Sequence, residues 1–104
     1  MKRLPMKRQN ISGEFVRMAR INYGKRHRMR MTQADLAAKM QLKGLDSFER
    51  ITVCRIENGT RQVSDIELKY MAAALEVSAL YLLYGCVDSL PSFDTLTPIV
   101  AEGE

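Results

Sequence analysis

Apolar positions recur along most of the chain with the period of a helix, and recognisable stop signals separate the repeats. Between Ile11 and Tyr23, residues Ile11, Phe15, Met18 and Ala19 form a stripe that Val16 and Tyr23 widen, which predicts a first helix ending near Gly24. The segment TQADLAAKM predicts a second helix of about three turns. Thr32 is its N-cap, Asp35 stands at the third helical position, and Leu36, Ala37 and Met40 form the edge to be buried. After the glycine-containing connection QLKGLD comes DSFERITVCRIENG, residues 46–59, in which Asp46 and Glu49 have capping-box spacing and Gly59 is a left-handed terminator. A third helix beginning at Ser47 follows from these signals. Ser64 and Glu67 repeat the capping box, and Leu68, Met71, Ala72 and Leu75 then give the i, i+3, i+4, i+7 spacing of a fourth helix. Ser78 caps a short fifth, ALYLLY, that stops at Gly85. No strand pair or internal repeat is evident, and helices this short are marginal in water without packing. The expected fold class is therefore all-α: a compact five-helix domain held by mutual burial, with the seven methionines as adaptable core fillers.

The third helix offers that core little. Val53 and Ile56 fall on its inward face beside the carboxylate of Glu57, while Ile51, Cys54, Arg55 and Asn58 form the opposite stripe. Two short helices joined by a compact turn, the second presenting a polar and basic outer face, make a helix-turn-helix. In that arrangement the inward face is only an anchor, because the outward face is to be buried in the major groove of DNA, about 12 Å wide.

A chain of 104 residues closes one modest core. The expected organisation is a basic arm over residues 1–9, a domain over 10–86 and an acidic tail over 87–104, with a short extended segment around TPIV. The net charge of +4 hides an asymmetry: residues 1–61 carry 15 of the 16 Lys and Arg against five acids, a net of +10, while residues 62–104 carry one lysine against seven acids, a net of −6. A basic front half is the electrostatic footprint of a polyanion binder, the plain alternative being a solvated charged surface. No apolar run is long enough for a membrane span, and no apolar stretch of signal-peptide length follows the basic start. Cys54 and Cys86 suit neither a disulfide framework nor a metal site, so a reducing cytoplasm is the expected compartment. A single histidine, no phosphate-binding glycine loop and no clustered carboxylates leave no reaction to assign, so an enzyme and a cofactor are not expected.

The pieces VRMAR, MTQADLAAKM, CRIENGTR, VSDIEL and ALEVSALYLLYG, in this order, resemble the xenobiotic-response-element class of helix-turn-helix proteins, the group that includes the lambda-like phage repressors. The resemblance spans about residues 10–85. The connections between helices one and two and between helices two and three are longer than is usual there. It implies a lambda-repressor-like fold, double-stranded DNA as partner, no small-molecule cofactor, and a transcriptional regulator that occupies a palindromic operator as a homodimer. It also implies a pairing of Arg20 with Glu57 that joins helix one to the end of helix three; the plain alternative is a solvated Glu57. Gln33 resembles the glutamine that bonds a phosphate and braces the first reading residue. Arg50, Ile51, Thr52 and Arg55 stand at base-facing positions, Arg50 being equally suited to a phosphate. Arginine can donate two parallel bonds to guanine, and Ile51 can meet a thymine methyl. Asn58, Thr60 and Arg61 follow the helix, where backbone contacts set register and not sequence.

The arm and the run KRHRMR, residues 25–30, are further candidates for phosphate or minor-groove contact, with no specific role expected of His27. Cys54 reads as a small filler. Tyr81 and Tyr84 suit either a dimer contact or the core. A rival reading is a protein-interaction module, such as an antitoxin or adaptor, that uses the acidic tail.

Overall fold

The computed structural model describes residues 7–85, and within them lie five helices and no strand. They are α1 (Gly13–Arg26), α2 (Gln33–Leu42), α3 (Arg50–Asn58), α4 (Asp65–Leu75) and α5 (Ala79–Tyr84). Helix α3 packs on α1 and α2, α4 packs on α2, and α5 closes the far side against α1 and α4. The core they enclose is built from Val16, Leu36, Met40, Val53, Ile56, Met71, Leu75 and Leu82, all fully buried. Acidic tail residues 87–104, the segment TPIV and Cys86 lie outside the described residues. None of the described helices is long and apolar enough to cross a membrane.

Caps fix several ends. The Thr32 hydroxyl accepts from the Asp35 amide while the Thr32 amide donates to the Asp35 carboxylate, which holds that carboxyl below its ordinary value. Ser64 and Glu67 repeat this reciprocal pair at α4, and Ser78 accepts from the Tyr81 amide at α5.

Three expectations need correction. First, α1 starts at Gly13, and its buried stripe is Val16, Ala19 and Tyr23, whereas Ile11 is 69% and Met18 46% exposed. Asn10 sets this rotation: its carbonyl oxygen accepts from the Gly13 amide, while its amide donates to the Ile56 and Arg61 carbonyls. Exposed Met18 and Met29 are therefore not core fillers, unlike Met31, Met40 and Met71. Second, α3 begins at Arg50 and not at Ser47, and Asp46 caps nothing. Phe48, 3% exposed, is drawn into the core; its amide bonds back to the Leu45 carbonyl and its own carbonyl accepts from Gln41. That tether keeps residues 46–48 out of the helix, so Glu49, with extended backbone, becomes the N-cap and donates its amide to the Thr52 hydroxyl.

Third, Gly24 does not end α1. It lies inside the helix, two residues before its last, and the reversal falls at Arg28, whose φ is +53°. Alanine would ordinarily be preferred at an interior helical site by about 1 kcal/mol. A Cβ on Gly24, however, would sit 2.6 Å from the Met29 carbonyl oxygen, in a turn closed by the Met29 amide on the Gly24 carbonyl at 2.8 Å. Gly24→Ala is expected to lower stability by about 1 to 3 kcal/mol, as overpacking does. Urea unfolding measures this, and a more stable variant would show that the turn after α1 yields freely.

Candidate nucleic-acid interface

Helix α3 divides its nine residues sharply. Val53 and Ile56 are fully buried and Glu57 is 6% exposed, while Arg50, Ile51, Arg55 and Asn58 are exposed. Gly59 ends the helix with φ +80°, a conformation that glycine adopts without strain.

The buried carboxylate is the centre of a network. Arg20 Nε donates to Glu57 Oε2 at 2.7 Å and Arg20 Nη2 to Glu57 Oε1 at 3.0 Å, a two-pronged pair between α1 and α3. The third guanidinium nitrogen, Nη1, donates to the Met31 carbonyl at 2.9 Å. Gln33 Nε2 reaches Glu57 Oε1 from the first residue of α2, also at 3.0 Å. Gln33, expected to hold a phosphate, is thus engaged with Glu57, and it ties the start of α2 to the end of α3.

The other expected site residues separate by what they touch. Arg55 makes no salt bridge with another described residue and is exposed, as is Ile51 at 41%. Arg50 is equally unpaired among the described residues. Thr52 is half-buried, and its hydroxyl serves the Glu49 amide. Asn58 Nδ2 lies 3.5 Å from Cys54 Sγ, and the Thr60 hydroxyl donates to the Arg55 carbonyl. Arg61 is committed internally: Nη1 and Nη2 donate to the two Glu67 oxygens at 2.9 and 2.8 Å. This bonding holds the Glu67 carboxyl below its ordinary value and raises Arg61 above its own.

Four contributing residues carry no local signal in the sequence. Asn10 was placed at the domain edge, yet it ties α1 to the last turn of α3. Arg8 and Gln9, expected in a free arm, lie against the end of α3: the Gln9 amide donates to the Gly59 carbonyl at 2.8 Å, and the Arg8 guanidinium packs on Gly59. His27 was expected to have no specific role, but it stacks on Tyr23 with centroids 4.1 Å apart, and its Nε2 lies 2.9 Å from Glu76 Oε1. Arg26 donates to the Leu75 carbonyl nearby.

Tyr81 packs against the core and tilts onto Phe15, whereas Tyr84 is 55% exposed. Among the described residues no group of His, Cys, Asp or Glu is placed to hold a metal ion, and Cys54 is a free thiol.

Two outcomes test the electrostatics. Removing one partner of the central pair leaves a buried charge uncompensated, so Arg20→Met and Glu57→Leu should each cost about 3 to 5 kcal/mol, and the double variant clearly less than their sum. Additive losses in chemical unfolding would show no coupling. Glu67 supplies a pH dependence. Because its folded carboxyl titrates lower than the unfolded one, its contribution is fully present above the unfolded value and disappears as pH falls through the folded value. The stability gap between the parent protein and Arg61→Gln should narrow on acidification from pH 7 to pH 3, and a constant gap would contradict the pairing. Protein-family models, characterised proteins and solved structures were all compared with the chain, and none matches it.

Proposed function

We propose that the chain is a helix-turn-helix DNA-binding protein of the lambda-repressor-like type, with α2 and α3 as its two helices and α3 as the reader. The observation that carries this reading is the division of α3, whose one face is fully sealed into the core while the other offers Arg50, Ile51 and Arg55 to solvent. A helix of nine residues is about 13 Å long and, with its side chains, about 10 to 12 Å across, which suits the major groove. The side chains suit base edges: Arg55 can donate two parallel bonds to guanine O6 and N7, Ile51 can cover a thymine methyl, and Arg50 can take a base or the adjoining phosphate.

The protein acts by occupying an operator, as a transcriptional regulator and most simply as a repressor. A two-fold contact between copies, for which exposed Tyr84 on α5 is a candidate, would set two α3 helices on successive half-sites. Asn58, the last residue of α3, and Thr60 after it would lie near the DNA backbone. Arg61 is given up to Glu67, so no role in contacting DNA is assigned to it.

Selection of random duplex DNA by the full-length protein tests the reading. A palindrome with half-sites about 34 to 36 Å apart should be enriched. Arg55→Ala should then weaken discrimination by about 1 to 3 kcal/mol at one base pair of each half-site while leaving the fold intact. Failure to enrich any motif would refute base readout.

A further inference from the structure

Five cations without an ion-pair partner among the described residues border one groove. Arg17 and Lys25 stand on α1, Arg28 and Arg30 on the turn before α2, and Arg50 opens α3. The groove has a volume of about 880 Å³, is open to solvent, and no Asp or Glu lines it. A sixth cation, Arg20, reaches it but is engaged with Glu57 and the Met31 carbonyl. The fold pairs other cations of the basic half: Arg26 meets Glu76, and Arg61 meets Glu67. That pairing stops at the groove. Like charges gathered without counter-ions repel one another, and a concavity with low-dielectric walls focuses their field. The first turn of α2, with Gln33 and Ala34, also lines the groove, its end capped by the Asp35 carboxylate.

We propose that this groove seats consecutive phosphates of one DNA strand, independently of sequence, on the same duplex that α3 reads. The proposal rests on that reading of α3. Arg50 is the link: it belongs both to the groove and to the first turn of α3, so a polyanion lying in the groove continues onto the face that carries Ile51 and Arg55. An open trough suits a strand passing through better than it suits a small enclosed anion. The turn between α1 and α2 supplies general affinity, and α3 supplies discrimination.

The experiment measures binding of the full chain to its selected duplex and to a random duplex over a range of salt, for the parent protein, for Lys25→Gln/Arg28→Gln/Arg30→Gln, and for Arg55→Gln. These groove side chains are exposed and unpaired among the described residues, so the triple variant should unfold at the parent midpoint. Its log–log salt slope should be shallower by about two to three, at ~0.9 per lost phosphate contact, and its affinity should fall by the same factor on both duplexes. A slope that moves by less than about half of one contact overturns the groove. Arg55→Gln should lose preference between the duplexes and retain most of the slope. If the parent protein prefers no duplex, the reading of α3 fails while the slope still judges the groove; if preference persists and the slope does not move, the groove alone fails. Inorganic tripolyphosphate is the competing small ligand: should it displace the random duplex at equal or lower phosphate concentration, the groove is a free-polyphosphate site and the proposal falls.

Discussion

A carboxylate buried at the last turn of α3 must be neutralised, and the way this is done fixes the relation between three helices. Glu57 is 6% exposed, and an ion of that kind costs several kcal/mol to desolvate unless it is paired and hydrogen-bonded. Arg20 supplies a guanidinium from α1 and Gln33 an amide from α2. The remaining nitrogen of Arg20 takes the Met31 carbonyl, so the segment leading into α2 is tied to the same point. Apolar side chains of similar volume could fill this space without much loss of stability. What they would lack is direction: hydrophobic contact tolerates sliding and rotation, whereas three donors converging on two oxygens accept one arrangement. The division of α3 into a sealed face and an open face follows from that arrangement.

Charge is distributed by the same logic. The front half of the chain is strongly basic, yet its cations are not equivalent once folded. Arg20 and Arg61 lie in two-pronged carboxylate pairs, and Arg26 bonds the last carbonyl of α4. Arg55 projects from α3, and apart from Arg20 the cations around the groove carry no ion-pair partner among the described residues. Positive charge that serves the fold is thereby separated from positive charge available to a polyanion. The N-terminal approach contributes to the first group, with Arg8, Gln9 and Asn10 closing over the end of α3.

The sequence by itself determined the number and order of the helices, because helical periodicity and capping residues are local properties. Thr32 with Asp35, Ser64 with Glu67, Ser78, and the glycine after Asn58 act over three or four residues, and each acts in the structure where its spacing placed it. The anchoring of α3 through Val53 and Ile56 was equally legible, since positions three apart share one face of a helix wherever it begins. Tertiary structure decided what depends on partners distant in sequence. Phe48 sits two residues before α3 in what looked like its first turn, but the core claims the ring and unwinds that turn. Gly24 reads as a terminator until the Met29 carbonyl is found pressed against it. No local rule tells which basic side chain will meet an acid some forty or fifty residues away, as Arg26 meets Glu76 and Arg20 meets Glu57. Local chemistry specifies which elements form; only their packing fixes which side chains remain free to act.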